Sequence, residues 1–195
     1  MKKAFFTLLV VSSMCWAGRA LADMQIADTN KKISDCMLDM PPVILIDKDM
    51  RDFNFAKTPR IDAFFNSLAD EKTGKTFQHY RNAFCEAKVE LSHHEYGRLS
   101  KAKLKRVLKN KAPFTISRQN NLKIGKTHLV SGYAQNEDFS QTLTFAPYQD
   151  MLLKIHTVCS KLDRFDEEEY ALKIKEVNTI FAESILSHFK DCPLN

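Results

Sequence analysis

The last third of the chain, from Leu143 to Cys192, constrains the fold more than any other stretch of the sequence. Two apolar, alternating segments are followed by one long segment of helical periodicity, which begins at Glu167 and ends near Lys190. Asp166 stands before it as an N-cap with Glu169 three residues later, and three glutamates complement the positive end of the helix dipole. Apolar residues at spacings of four and three predict a helix packed on a sheet; they are Tyr170, Ile174, Val177, Phe181, Ile185 and Phe189.

The first 22 residues have the pattern of a secretory signal peptide. Two lysines supply a basic start, Ala4–Trp16 is an apolar run too short to span a bilayer comfortably, and Ala20-Leu21-Ala22 is a small-x-small cleavage site. A lipoprotein signal would need small residues just before Cys15, where this chain has Met14. We therefore expect a periplasmic or secreted protein that does not span the membrane and whose mature chain, residues 23–195, is one α+β domain.

Four cysteines remain after the predicted cleavage: Cys36, Cys85, Cys159 and Cys192. An even number in an oxidising compartment predicts two disulfides, and the lack of a Cys-x-x-Cys pair argues against zinc. The predicted helix is about 36 Å long and carries Cys192 away from Cys159, whereas bonded cysteines need Cα atoms within about 7 Å. Because chain ends often lie close together in a domain, the sequence favours Cys36–Cys192 with Cys85–Cys159.

Upstream of this unit the sequence predicts a short strand, a loop and a group of helices. Val43–Ile46 is a β-branched run preceded by prolines, and Asp52–Lys57 is predicted as a loop. A Thr-Pro helix start and apolar residues at helical spacing then predict three helices, over Thr58–Lys72, from about Thr76 to Leu91, and over Lys101–Lys109.

From Phe114 onward the apolar period changes to two. Short polar connectors favour antiparallel neighbours among four predicted strands, Phe114–Arg118, Leu122–Ala134, Phe139–Ala146 and Met151–Cys159. The fold class is therefore α+β, with N-terminal helices followed by an antiparallel meander of about four strands and a long C-terminal helix packed on the sheet. His156 is out of phase with Leu153 and Ile155, so we expect it on the opposite face of that sheet.

One segment of the chain is strongly basic. Between Tyr96 and Asn136 there is no acidic residue, whereas ten basic residues occur: Arg98, Lys101, Lys103, Lys105, Arg106, Lys109, Lys111, Arg118, Lys123 and Lys126. Without residues 1–22, which carry three basic residues, the chain holds 26 basic and 24 acidic ones, so 16 basic stand against 24 acidic outside this segment. The asymmetry predicts a partner-binding surface for an anionic molecule, with a solvated helix face as the alternative.

The densest cluster of titratable side chains is His93-His94-Glu95, which makes these residues candidates for hydrolysis. They lack the His-x-x-x-His spacing of zinc proteases, and together with Ser92 they also fit a helix capping box. The sequence has no Gly-x-Ser-x-Gly elbow, and its five glycines form no phosphate-binding loop. We therefore expect no metal and no cofactor, and the sequence favours a non-enzymatic role while leaving enzymatic activity open.

These features favour an exported binding module that acts through a protein interface, such as an immunity or inhibitor-type protein. Two alternatives stay open. One is an envelope factor that binds anionic lipid or polysaccharide through the basic residues, and the other is a hydrolase that uses His93, His94 and Glu95. Nucleic acid is a poor candidate because only Phe114 and Tyr133 accompany the basic residues as stacking aromatics. The sequence leaves the oligomeric state open.

Overall fold

An eight-stranded antiparallel sheet forms the centre of the computed structural model. The structure describes residues 35–37, 39–46, 51–58, 76–93, 100–148 and 151–192, so the predicted signal peptide lies outside the described residues. The strands are β1 Val43–Ile44, β2 Phe55–Thr58, β3 Thr76–Arg81, β4 Cys85–His93, β5 Arg118–Ile124, β6 Thr127–Gln135, β7 Phe139–Tyr148 and β8 Met151–Ser160. Across the sheet they follow the order β1-β2-β3-β4-β8-β7-β6-β5.

Two α-helices have both ends within the described residues, α1 over Lys101–Lys111 and α2 over Glu167–Lys190; residues 35–37 are also helical, and a 3₁₀ turn spans Arg51–Phe53. The C-terminal predictions are confirmed: β7 and β8 contain the predicted strands, and α2 has the predicted bounds. The Glu169 N–H donates to Asp166 Oδ1 over 2.8 Å, and all six residues of the predicted apolar stripe are buried. The predicted helix from Lys101 is also confirmed and runs two residues further, to Lys111.

The predicted meander of about four strands is wrong, because the sheet has eight. The stretch from Thr76 to Leu91, predicted as a helix, forms the hairpin of β3 and β4. Its turn is made by Asn82, whose Oδ1 accepts hydrogen bonds from the N–H groups of Phe84 and Cys85 at 2.8 and 2.6 Å. Apolar residues here do recur at helical spacing, but a second pattern of period two prevails, with Cys85, Ala87, Val89 and Leu91 all buried.

The predictions closest to the N-terminus also need correction. Asp52–Lys57, predicted as a loop, contains part of the 3₁₀ turn and most of β2, which pairs with β3. Thr58, predicted to start a helix, is the last residue of β2, and residues 59–72 of that helix lie outside the described residues. The predicted strand Val43–Ile46 is shortened to β1, which pairs with β2.

The β5–β6 hairpin replaces two predicted strands. Leu122–Ala134, predicted as one strand, contains the turn of this hairpin at Gly125 and Lys126. Gly125 has φ 56°, in the left-handed region that glycine enters at little cost. The predicted connector at residues 119–121 lies inside β5, and of the predicted strand Phe114–Arg118 only the last residue belongs to a strand.

The two helices lie on opposite faces of the sheet. α2 packs on the face that carries Val89 and Ile155, in a core where the rings of Phe55 and Phe181 are 4.6 Å apart. α1 packs on the other face against β6 and β7, where its buried leucines join Val130, Leu143, Phe145 and Leu152. His156 lies on the α1 face, as predicted, with its ring 5.9 Å from that of Phe114.

Two disulfides join distant parts of the chain, and both pairings are those favoured by the sequence. Cys36 is bonded to Cys192 across a sequence separation of 156, and Cys85 to Cys159 across one of 74. The first bond joins the N-terminal segment to Cys192, which lies just beyond the end of α2. Cys192 is close to the start of β8, since its carbonyl accepts a hydrogen bond of 2.8 Å from the hydroxyl of Tyr148, at the end of β7. The second links neighbouring strands β4 and β8.

Candidate functional site

The basic residues of the segment 96–136 lie on the surface. Nine of the ten are described and all nine are exposed, whereas Arg98 lies outside the described residues. We refer to residues 101–126, which comprise α1, the connection to β5, β5 and its turn, as the basic face. Six of the nine cations project from α1, two lie on β5, and Lys126 lies in the turn that follows.

α1 is a helix whose charge opposes its own stability. Its fully buried side chains are Leu104 and Leu108, one turn apart, and Ser100 caps its start by accepting from the Lys103 N–H at 3.4 Å. Its first turn carries no acidic residue, and Lys101, Lys105 and Lys109 follow one another at spacings of four. Each like-charge pair at this spacing costs about 0.2–0.5 kcal/mol. The stability of α1 therefore depends on its two buried leucines and its cap and is opposed by its charges.

A groove of about 990 Å³ lies between α1 and the start of β5. Lys105, Arg106 and Lys109 line it from the helix, and among the described residues none of those that line it is acidic. Apolar side chains also line it, namely Leu108, Phe114 and Ile116. The groove therefore combines cationic hydrogen-bond donors with an apolar surface, which suits an anionic ligand that also has apolar groups.

The apolar part of this groove depends on a glycine in β6. A Cβ atom built on Gly132 would lie 2.9 Å from Ile116 Cδ1 and 3.2 Å from Leu108 Cδ1. A side chain at this position would therefore require Ile116 to shift, and glycine in the strand avoids that contact. Gly132 thus sets the depth at which Ile116 and Leu108 lie.

Arg118 is separated from the cations of the groove. It lies with Tyr133 on the opposite face of the sheet and shares a cleft of about 590 Å³ with Glu167 and Glu168 at the start of α2. Burial raises the pKa of Tyr133 to about 12, with a further increase from Tyr170 and Glu167 and an opposing effect of Arg118. The acidic start of α2 therefore offsets Arg118 locally, and the groove keeps its three cations.

A row of buried polar side chains crosses the sheet on the α1 face. Lys88 is opposite both His79 and His156 in the ladders of β4, and Lys154 Nζ lies 3.5 Å from Glu90 Oε2. Burial is the main cause that lowers the pKa of His156 to about 3, and the positive charges of Lys154 and Lys88 lower it further. Burial and Lys88 lower the pKa of His79 to about 4. Both imidazoles are therefore neutral at pH 7, and the row is part of the folded core.

The residues proposed for hydrolysis are not brought together by the described part of the chain. His93 is the last residue of β4, paired with Met151, and is not on the helix that the capping-box interpretation requires. His94 and Glu95 lie outside the described residues. Within the described ranges, no group of three or more histidine, cysteine or acidic side chains could hold a metal ion.

The prediction from sequence identified the cations of the groove but missed its other walls. Gly132, Phe114 and Ile116 were not among the candidate site residues, although all three shape the groove. A glycine inside a strand of otherwise larger residues often marks a close backbone approach and was the available signal for Gly132.

Comparisons with protein-family models, curated proteins and solved structures find no match for this chain. None of the helices in the described residues is both long and apolar enough to cross a membrane. Any function assigned to the basic face must therefore be argued from its own geometry and charge.

Proposed function

We propose that this protein is an exported binding module that binds an acidic protein partner through the basic face. One observation carries the proposal: Lys105, Arg106 and Lys109 line a groove that also has apolar walls, and no acidic side chain of the described part of the chain lines it. Carboxylates that enter the groove accept charge-assisted hydrogen bonds, which are about twice as strong as neutral ones. Apolar partner side chains pack on Phe114 and Ile116.

Export is supported by the two disulfides together with the signal-like start of the chain. Structural disulfides persist in oxidising compartments and are rare in the cytosol. A protein whose partner is a secreted or envelope protein needs this stability because it works outside the reach of cytosolic chaperones.

A protein is favoured over a small anion by the extent of the basic face. Its exposed cations continue beyond the groove along α1 to Lys111 and past β5 to Lys126. Interfaces between proteins bury about 800 Å² on each partner, so a surface of several elements suits them. Complementary charge accelerates association, which suits an immunity or inhibitor-type protein that must reach its target quickly.

An anionic lipid or polysaccharide is the second candidate. The observation in its favour is that the apolar walls of the groove lie beside the cations, since Leu108 and Lys109 are adjacent in α1. A lipid phosphate could bind the cations while part of an acyl chain covers Phe114.

Capture from a cell-envelope extract tests the proposal, with three forms of the mature chain as bait. The first is the wild type, and the second carries Lys105→Gln, Arg106→Gln and Lys109→Gln. The third, a matched control, loses three exposed lysines outside the basic face through Lys161→Gln, Lys175→Gln and Lys190→Gln. Bound proteins are identified by mass spectrometry and bound lipids by extraction.

The proposal expects an acidic protein on the wild type and on the control, and its loss from the groove variant. Elution should follow a rise in salt from roughly 50 to 200 mM, because screening weakens attraction between exposed charges. If lipid alone is retained in a groove-dependent way, the second candidate replaces the first. Equal retention on all three baits contradicts both candidates.

A further inference from the structure

The free edge of β5 is a second feature of the basic face, and it borders the groove. β5 is the last strand of the sheet in the described part of the chain, paired with β6 on one side. Its seven residues span about 24 Å. Gln119 belongs both to β5 and to the groove lining, so the edge and the groove are continuous.

The pairing register identifies the backbone groups that point away from β6. Ile124 and Thr127 pair across the two-residue turn, and at the other end Arg118 pairs with Tyr133, whose carbonyl also accepts from the Ser117 N–H at 2.9 Å. In such a hairpin every second residue exchanges hydrogen bonds with the partner strand. Both ends of the hairpin give the same result: residues 118, 120, 122 and 124 of β5 direct their N–H and C=O groups toward β6. Gln119, Asn121 and Lys123 therefore direct their N–H and C=O groups to the open side.

The charge around this edge determines which occupant it accepts. Arg118, Lys123 and Lys126 lie on or beside it, and no acidic residue occurs from residue 118 to residue 126. Glu167 and Glu168 offset Arg118, but a second copy of β5 would still bring Lys123 and Lys126 of both chains, four cations in all, to one seam, which is the kind of edge that discourages self-association. A strand that carries carboxylates would instead be attracted by these cations.

We propose that the protein partner binds as an extended acidic segment, which adds a ninth strand at the free edge of β5 and directs its carboxylates toward Lys105, Arg106 and Lys109. This inference rests on the proposed function and specifies its binding mode. Side chains on alternate positions of the added strand face the α1 side of the sheet, where the groove lies. Main-chain hydrogen bonds then contribute affinity, and the cations of α1 select the acidic sequence.

A capped nine-residue peptide of alternating glutamate and valine is the probe. Its counterpart has the same sequence and charge but is N-methylated at its three central residues. The methyl groups remove the central N–H donors on both edges of the peptide strand. Binding to the disulfide-bonded protein is measured by fluorescence anisotropy, and amide exchange of β5 is followed by NMR. The groove variant Lys105→Gln/Arg106→Gln/Lys109→Gln serves as the charge control.

The inference expects at least tenfold weaker binding of the N-methylated peptide. It also expects slower exchange at the amides of Gln119, Asn121 and Lys123 when the unmodified peptide binds. Equal binding of the two peptides with unchanged β5 exchange would overturn edge pairing while leaving recognition by charge intact. If the unmodified peptide does not bind at a concentration of about 1 mM, its affinity is weaker than millimolar, and this result would also overturn the inference.

Two further outcomes separate this inference from the proposed function. If the unmodified peptide binds the groove variant as tightly as the wild type, the cations of the groove have no role and the proposed function fails as well. If the three outward amides are already protected without peptide and the protein is a dimer, the edge is occupied by a second copy and the inference is wrong.

Discussion

Mild acid should destabilise this protein through two imidazoles with lowered pKa values, His79 and His156, and the more deeply buried His156 can be tested by itself. Its side chain is 3% exposed, and Nε2 lies 3.3 Å from Gln141 Oε1. Burial, together with Lys154 and Lys88, lowers the pKa of His156 from 6.5 to about 3. The unfolded chain takes up a proton below pH 6.5 while the folded chain stays neutral, so the stability from this residue is complete above pH 6.5 and is lost progressively toward pH 3.

The size of the effect follows from the two pKa values of His156. Each pH unit between them costs about 1.4 kcal/mol, so His156 alone should lower the free energy of unfolding by about 2 kcal/mol between pH 7.5 and pH 5, and His79 adds to this loss. Domains of this size are stable by about 5–15 kcal/mol, so such a loss is readily measured by urea unfolding with the disulfides intact. His156→Gln, which cannot titrate, should lose about 2 kcal/mol less than the wild type over the same interval.

A second variant provides the control for this experiment. His128→Gln makes the same replacement at an exposed position of β6 and serves as the matched comparison for His156→Gln. If the wild type and His156→Gln lose the same free energy of unfolding between pH 7.5 and pH 5, burial of His156 is not the cause of acid sensitivity and the reasoning is refuted.

Three further predictions concern the scaffold that holds the basic face. Replacing Cys36 and Cys192 by serine should lower the free energy of unfolding by about 2–5 kcal/mol in urea, since this bond closes a loop with a sequence separation of 156; an unchanged midpoint would contradict the pairing. Gly132→Val should cost about 1–3 kcal/mol in thermal unfolding because its side chain displaces Ile116, and adding Ile116→Ala should restore part of that loss. Asp166→Ala should cost about 1 kcal/mol through the lost cap of α2, whereas the neighbouring Asp163→Ala, at an exposed site, should change urea stability by less than about 0.5 kcal/mol.

Local signals were sufficient for the C-terminal part of the fold. The cap at Asp166 and the stripe from Tyr170 to Phe189 are contained in one helix, so their meaning does not depend on the rest of the chain. Such predictions hold because the interacting residues are close in sequence. The disulfide pairing needed two further arguments: the length of the helix opposes a Cys159–Cys192 bond, and the ends of a domain often lie close together.

The hairpin of β3 and β4 could not be identified in this way. On a helix the charged residues of this stretch would be solvated. In the structure Glu90 is only 6% exposed, and it pairs with Lys154 of the neighbouring strand β8, 64 positions further along the chain. The turn at Gly125 lies inside the predicted strand Leu122–Ala134 because apolar residues occur on both sides of it, Leu122 and Ile124 before the turn and Leu129 and Val130 after it. Pairings between distant residues decide both cases, and composition and periodicity do not contain them.

The candidate site was predictable only in its charge. Lys105, Arg106 and Lys109 were identified as part of a basic segment, and their exposure follows from the two leucines that fix α1 on the sheet. The groove itself arises because Ile116 lies against Gly132, a contact between a connection and a strand. Likewise, the free edge of β5 is a property of the strand order.

The central claim is that the basic face binds an acidic protein, and a titration tests it most directly. The captured partner is titrated by calorimetry, at 50 mM and 200 mM salt, against the wild type, the groove variant and the control variant with Lys161, Lys175 and Lys190 replaced by glutamine. At the lower salt the groove variant should bind at least tenfold more weakly, about 1.4 kcal/mol, and the control within about threefold of the wild type. The wild type should lose affinity at the higher salt. Equal affinities for all three proteins, or a wild-type affinity that does not respond to salt, would contradict the claim.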